Sequence, residues 1–257
     1  MIKIGIIGGG GYTAGELLRL LVMHPDSEIV FVQSNSQAGL PLTTVHPDLT
    51  GELDLNFSKN ITADIDVLFL CSGHGKSKCF LKENAIPDTI KIIDLSSDFR
   101  LKKNAEDFIY GLPELNHSLI SKAKKIANPG CFATAIQLAL LPLAKHQSLS
   151  QNIHIHALTG STGAGQKPTA TTHFSWRNNN ISIYKPFVHQ HLSEIRQSLA
   201  QLDPSFDSTI NFLPIRGNFT RGIFASLYLN TSLELEEVEK FYSEYYCLLY
   251  TSPSPRD

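Results

Sequence analysis

Cys131 follows Asn128-Pro129-Gly130 and precedes the apolar run Phe132–Leu141, which reads as a buried helix closed by Pro142. That order puts its sulfur at a helix N-terminus, where the dipole favours thiolate over thiol and lowers a pKa that is otherwise about 8.5. Most cysteines are simply small buried hydrophobes, and Cys71 and Cys79 are read that way. Asn-Pro-Gly is a poor lead-in to an ordinary core helix and a good one for a nucleophile. A second chemical cluster, His189-Gln190-His191-Leu192-Ser193-Glu194, opens another predicted helix. A histidine in that first turn can exchange a proton with a thiolate, and Glu194 can orient it. Which of His189 and His191 does so is left open. His-x-His without a third nearby ligand does not complete a metal site, so no metal is expected.

The third candidate is the turn Gly8-Gly9-Gly10-Gly11-Tyr12-Thr13-Ala14-Gly15. It follows a strand and opens a helix, the setting in which glycines let a pyrophosphate approach unpaired N–H groups. Nucleotide-binding strands of this kind usually end in an acidic residue on the ribose; here the second strand ends in Gln33-Ser34-Asn35-Ser36. With no carboxylate to repel a 2′-phosphate, NADP(H) is favoured over NAD. Arg100, Arg216-Gly217 and Arg221-Gly222 are candidate anion sites, and Gly160–Gly165 is a second loop a cofactor could approach. Each is individually weak, because most arginines make surface pairs.

These residues need a scaffold of some size. The 257 residues exceed what most single cores absorb, and 42% hydrophobic with 18% charged residues is a globular composition. Lys+Arg 22 against Asp+Glu 24 leaves a net charge of −2, which gives a nucleic-acid groove little support. No stretch reaches the ~18 apolar residues of a membrane span. There is no signal-peptide pattern, and the four cysteines (71, 79, 131 and 247) lack disulfide or metal spacing, so a reducing cytoplasm is expected.

Apolar runs at Ile2–Ile7, Glu28–Gln33, Val67–Leu70 and Ile90–Ile93 read as buried parallel strands. They alternate with helical stretches, beginning with Glu16–Met23, so the first half reads as a doubly wound α/β sheet of Rossmann type over 1–130. From about 131 the pattern changes to an α+β domain with strands at Ile153–Thr159, Thr209–Leu213 and Ile223–Leu229. Leu192, Ile195, Leu199 and Leu202 fall at helical spacing, as do Leu235, Val238, Tyr242 and Tyr245.

Several segments together resemble the N-acetyl-γ-glutamyl-phosphate reductases, NADP-dependent enzymes of arginine biosynthesis related to aspartate-semialdehyde dehydrogenase. They are GGGGYTAGELLRLL (8–21), IIDLSSDFRL (92–101), YGLPELN (110–116), NPGCFATAIQLALLPL (128–143), TGSTGAGQKP (159–168), HFSWRNNNISIYKPFVHQH (173–191) and TRGIFA (220–225). The resemblance implies a catalytic domain like that of glyceraldehyde-phosphate dehydrogenase after the Rossmann domain. It implies that Cys131 attacks the acyl phosphate of N-acetylglutamyl phosphate, that a thioacyl enzyme forms, and that NADPH hydride releases the semialdehyde. His191 takes the acid–base position with Glu194 as its orienter. Gly8, Gly11, Tyr12, Thr13, Ser34, Ser36 and Ser72, with Ser161, Gly163 and Gly165, fall at cofactor positions. Arg100, Asn128, His189 and Arg221 fall at substrate positions. It also implies a homodimer or homotetramer, with no nucleic-acid or membrane partner.

The resemblance stops near Tyr246. Residues 247–257 match nothing in the family and are expected to be an unrelated tail on a chain lacking the family's last segment. The competing readings are an aspartate-semialdehyde dehydrogenase or amino-adipyl relative, and a non-catalytic NADP-sensing regulator, which would have no use for an activated Cys131.

Overall fold

The computed structural model describes residues 1–246; the tail from 247, including Cys247, lies outside the described residues. The chain forms two compact units. The first holds Met1–Gly111 and Ser118–Pro129; the second holds Leu112–His117 and the chain from Gly130.

In the first unit a seven-stranded sheet is built from β1 (Ile2–Ile7), β2 (Ser27–Gln33), β3 (Phe57–Ser58), β4 (Val67–Leu70), β5 (Lys91–Asp94), β6 (Ile109–Tyr110) and β7 (Lys125–Ala127). The order is β3-β2-β1-β4-β5-β7-β6, and every pairing is parallel. Strands covered on both faces must be apolar throughout, which is why β1 reads as an unbroken run: Ile4, Ile6 and Ile7 are all buried. Helix α1 (Tyr12–Val22) packs Ala14 and Leu18 against Ile4, Ile6 and Val32. It begins four residues before the expected Glu16, because the glycine turn itself ends at Gly11. The chain runs outward from β1 to β3 and then returns to β4, so the switch in strand order lies between β1 and β4. The crevice beyond the strand ends there is where doubly wound sheets bind ligands. Helix α2 (Lys76–Glu83) follows β4. Cys79 on it is exposed, against the expectation of a buried side chain; the sequence KSKCFLKE has too few apolar residues to bury that face. Cys71 is buried as expected.

Helix α3 (Pro113–Ile120) leaves helical angles at Asn116, close to where the chain passes between units. The second unit contains α4 (Cys131–Lys145), β8 (Ile153–Thr159), α5 (Phe174–Arg177), β9 (Ser182–Ile183), α6 (His191–Leu202), β10 (Ile210–Arg216), β11 (Ile223–Tyr228) and α7 (Leu235–Tyr246). Its sheet runs β11-β8-β10-β9, with β8 and β10 parallel and the outer pairings antiparallel. Phe132, Ile136 and Leu140 of α4 interlock with Ile195 and Leu199 of α6 over Ile155 and Phe212 of the sheet. Fully burying each such side chain contributes about 1.5–3 kcal/mol, which fixes both helices on the sheet.

Two element boundaries differ from the expected ones for reasons outside the local sequence. Helix α4 does not close at Pro142 but continues to Lys145. A proline lacks the N–H that would bond the carbonyl four residues earlier. Here that carbonyl, of Leu138, accepts the Tyr246 hydroxyl instead, and the neighbouring Ala139 carbonyl accepts the Tyr242 hydroxyl. Strand β10 likewise runs past Leu213 through Pro214, whose carbonyl accepts the Tyr184 N–H at 3.1 Å. This extension sets Arg216 at the strand's end.

Candidate active site

The glycine turn is folded by contacts that only glycine permits. Gly8 has φ +80°, and a Cβ there would lie 2.7 Å from the Ser72 backbone; at Gly9 it would lie 2.1 Å from Val32. The N–H groups of Gly8 and Gly9 both donate to the Gln33 carbonyl, at 3.0 and 2.8 Å. The turn is thus pressed between the ends of β2 and β4, with Gly8 beside Ser72. At Gly10 a Cβ would meet only ordinary contacts, with Ser34 Oγ at 3.6 Å and Gln37 Cγ at 3.8 Å. Gly11 caps α1 with no side-chain hydrogen bond, and the first turn carries no acidic residue. A glycine turn at a helix N-terminus with no acidic residue in its first turn fits a dinucleotide pyrophosphate. Beyond β2, Ser34 is buried and Ser36 exposed, and Gln33 Nε2 donates to Asn35 Oδ1 at 2.8 Å. No carboxylate stands there, which fits a 2′-phosphate. Tyr12 and Thr13 are exposed in the first turn of α1.

Arg100 and Asn128 come together, through the backbone. Arg100 is 5% exposed and donates from Nε to the Asn128 carbonyl at 2.8 Å and from Nη2 to the Leu95 carbonyl at 3.0 Å. It fastens the loops after β5 and β7, while Asn128 itself is exposed. Buried Asp94 accepts from the Ser96 hydroxyl at 2.7 Å, and Asp98 accepts the Gly75 N–H at 2.6 Å. Those two carboxylates account for the IIDLSSDFRL segment as a locked loop. Burial pushes the Cys71 thiol up to about 12, with Asp94 adding to the effect, so that sulfur is inert near neutrality.

In the second unit, Cys131 is the first residue of α4 and is exposed, with Gly130 as N-cap. The helix N-terminus favours its thiolate. The Gly130 N–H donates to Glu194 Oε2 at 2.9 Å, and Glu194 Oε1 lies 3.9 Å from His191 Nε2. His191 and Glu194 are both buried, at the first and fourth positions of α6. A Cβ on Gly130 would meet the His191 ring at 2.4 Å. The glycine before the nucleophile is therefore required by the imidazole packed on it; its own φ of −69° suits any residue. His189 Nδ1 accepts the His191 N–H at 3.2 Å, so its proton sits on Nε2. Burial, with the neighbouring His191, lowers the His189 pKa to about 4, and it is neutral at pH 7. Its ring stands edge-on to Phe132, Tyr184 and Phe212.

Tyr184 carries the cluster outward. The Arg216 guanidinium lies 4.3 Å from the Tyr184 ring centroid. Burial raises the Tyr184 phenol above its ordinary pKa, Arg216 opposes that shift, and Cys131 adds to it. The sequence marks Arg216 only as one of several anion candidates; here its charge, with that of Lys185, reaches His189, and with Cys131 it acts on Tyr184. Arg177, not singled out in sequence, explains HFSWRNNN. It is 4% exposed and donates to the carbonyls of Arg216 (2.7 Å), Thr171 (2.9 Å) and Asn180 (3.1 Å) and to Ser182 Oγ (2.9 Å). It ties that loop to the end of β10.

The second glycine loop is zipped to the segment bearing Arg221. Ser161 N–H donates to the Phe219 carbonyl at 2.9 Å, and Ser161 Oγ to the Gly217 carbonyl at 3.2 Å. A Cβ on Gly160 would meet the Thr220 carbonyl at 2.5 Å. Beyond this zipper Gly165 stands in open space with φ +86°, and a Cβ at Gly163 would meet only Thr159 Oγ1, at 3.8 Å. Arg221 is exposed. Among the described residues no cluster of three metal-ligating side chains occurs, and no helix is long and apolar enough to cross a membrane.

Comparison with known proteins agrees with both units. Residues 3–123 match the family model described as "Semialdehyde dehydrogenase, NAD binding domain", and residues 131–248 match "Semialdehyde dehydrogenase, dimerisation domain". The chain is 58% identical over 247 residues to an N-acetyl-gamma-glutamyl-phosphate reductase of Parabacteroides distasonis, covering 96% of this chain and 77% of that one. It is 60% identical, with the same coverage, to the reductase of Bacteroides thetaiotaomicron. The fold matches aspartate semialdehyde dehydrogenase from Candida albicans, solved with NADP, with TM-score 0.68 at 17% identity over 94% of this chain and 75% of that one. It also matches aspartate semialdehyde dehydrogenase II from Vibrio cholerae, with TM-score 0.67 at 16% identity over 94% and 78% of the two chains.

Proposed function

This chain belongs to the N-acetyl-γ-glutamyl-phosphate reductases of the semialdehyde dehydrogenase family, and from that premise we propose which of its residues carry out the reaction. The enzyme converts N-acetylglutamyl 5-phosphate to N-acetylglutamate 5-semialdehyde, with NADPH as reductant. Relatives at 58–60% identity carry the reductase name, whereas the aspartate-semialdehyde dehydrogenases share only the fold.

The observation that carries the residue assignment is the convergence of Cys131, His191 and Glu194 on Gly130. Cys131, as thiolate at the α4 N-terminus, attacks the acyl carbon. The carbon–oxygen bond to phosphate breaks, phosphate leaves, and a thioester on Cys131 remains. His191 takes the thiol proton as the attack begins and returns it once the thiolate is set free. Its packing on Gly130 favours it over His189 for this task, since His189 is buried, neutral and committed through Nδ1 to the His191 backbone. Glu194 holds the turn before Cys131 and stands beside His191 as the countercharge to an imidazolium. Arg216, with Tyr184, supplies a cation for an anionic end of the substrate; Arg100 and Asn128 frame a loop suited to the leaving phosphate. NADPH supplies, when bound, the hydride that brings the thioester carbon to the aldehyde level. Gly8–Thr13 with Ser72 suit its pyrophosphate, Ser34 and Ser36 its 2′-phosphate, and the loop Ser161–Gly165 its nicotinamide end.

Self-association fits the second unit. The inner face of β11 packs Ile223, Ala225 and Leu227 on the core, which leaves Phe224 and Tyr228 on the open face, 69% and 55% exposed. His154, His156 and Leu158 of β8 pair with β11 residues of that face. Large exposed aromatics of this kind mark an interface, and a homodimer or homotetramer in the cytoplasm is the state we assign.

Rapid mixing with the acyl phosphate in the absence of NADPH tests the nucleophile. A burst of about one phosphate per chain is expected, with none from Cys131→Ser, because an alcohol is not ionised by a helix dipole. An undiminished burst in Cys131→Ser would remove the cysteine from this role.

A further inference from the structure

His46 lies in the segment between β2 and β3 and is absent from every role above, yet it is 4% exposed and its Nε2 lies 2.8 Å from the Gly9 carbonyl oxygen. A carbonyl only accepts, so Nε2 carries the proton. The opposite edge of the ring lies on α1: a Cβ on Gly15 would be 2.8 Å from Nδ1 and 2.9 Å from Cε1. The imidazole is therefore wedged between the glycine turn and the first turn of the helix.

The segment is itself firmly held. Leu42 N–H donates to the Leu55 carbonyl at 2.9 Å, and His46 N–H to the Leu42 carbonyl at 2.9 Å. Two residues after His46, Asp48 receives both Nε and Nη2 of Arg19 on α1, at 2.5 and 2.9 Å. The wedge cannot drift along the helix.

We propose that His46 is a positioning residue for the dinucleotide, setting the orientation of the Gly9–Gly10 peptide and hence the direction of the Gly10 N–H. A trans peptide is planar, with its C=O and N–H on opposite sides. Pinning the Gly9 oxygen onto His46 turns the Gly10 N–H the other way, away from the imidazole. Two adjacent glycines place no steric bar on a peptide flip, so side chains elsewhere must choose the orientation. Gly9 N–H is fixed by Gln33 on one side of the residue and its carbonyl by His46 on the other. Without His46 the Gly9 oxygen is a buried acceptor with no donor, and the flipped peptide presents that oxygen, in place of an N–H, to the phosphates.

The inference rests on the glycine turn being the NADPH site, and the test separates the two. NADPH affinity is measured by fluorescence titration for the parent, His46→Leu, His46→Gln and Gly15→Ala. The alkylation rate of Cys131 by iodoacetamide, which needs no cofactor, is followed alongside. His46→Leu keeps bulk but removes the donor and should raise the Kd for NADPH between about tenfold and a hundredfold, the effect of one buried acceptor left unpaired. His46→Gln keeps an N–H at similar reach and should recover most of the affinity. Gly15→Ala drives a methyl into the ring and should weaken NADPH at least threefold even if His46→Leu folds poorly. Alkylation should stay within twofold throughout. A parent chain that does not bind NADPH overturns the cofactor assignment itself. Affinity within twofold of the parent in His46→Leu, or a His46→Gln as weak as His46→Leu, overturns the role of His46.

Discussion

Glu194 accepts a 2.9 Å hydrogen bond from the N–H of Gly130, 64 positions earlier in the chain. The carboxylate that stands 3.9 Å from His191 Nε2 thereby also holds the turn before Cys131. Charge and backbone support can be separated by substitution. Glu194→Gln keeps an acceptor for the Gly130 N–H and should unfold within about 1 kcal/mol of the parent, while its phosphate burst slows roughly tenfold or more. Glu194→Ala also leaves a buried N–H unpaired and should lose about 1–3 kcal/mol of stability. Urea denaturation and rapid-mixing phosphate release read the two effects; a Glu194→Gln burst at the parent rate would show that the charge does nothing.

Gly130→Ala places a methyl 2.4 Å from His191 Nε2. Overpacking a buried site of this kind costs about 1–3 kcal/mol, and the displaced imidazole should lose most of its contribution to turnover. Removing the ring in Gly130→Ala/His191→Ala should relieve the strain, so the double variant should be more stable than the two single losses sum to. Strict additivity in thermal melts would place the cost elsewhere.

His189 has its pKa lowered to about 4 in the folded chain, against the ordinary 6.5 of an unfolded one. Between those values the unfolded state binds the extra proton, so stability is fully present above pH 6.5 and falls as the pH drops towards 4. The loss should amount to roughly 2–3 kcal/mol. His189→Phe, which cannot protonate, should flatten that part of a stability-versus-pH curve measured by denaturant unfolding. An unchanged slope would mean that another group controls it.

The segment Gln33-Ser34-Asn35-Ser36 at the end of β2 carries no acidic residue of the kind that selects NAD. The parent should bind NADPH at least about tenfold more tightly than NADH, and Ser34→Asp should bring the ratio to unity or below, since a carboxylate beside a phosphate is repelled. Titration with each cofactor decides it, and a parent that prefers NADH refutes the assignment.

The β1–α1–β2 unit was legible because a strand covered on both faces has to be apolar along its length and its turn has to be glycine. Cys131 was legible for a similar local reason: Asn-Pro-Gly before an apolar helix announces a helix N-terminus. What stayed hidden depends on contacts through space. Gly130 and Gly15 look alike in sequence, but one makes room for His191 and the other for His46. Arg177 reads as a loop arginine until its carbonyl acceptors, Arg216 among them, are seen around it. Pro142 reads as a helix end because the hydroxyl that replaces its missing donor belongs to a distant element.

That hydroxyl has a consequence for the order in which the protein matures. Leu138 and Tyr246 are 108 positions apart, and Ala139 and Tyr242 are 103 apart. As the chain leaves the ribosome, α4 emerges with its middle carbonyl unmet and must wait for almost all of the second unit before α7 arrives to complete it. Contacts between residues so far apart in sequence form late, because the loop-closure entropy must be met before they can form. The helix that opens at Cys131 is thus among the first parts of its unit to be synthesised, yet two of its carbonyls meet their partners only when nearly the whole unit has been made.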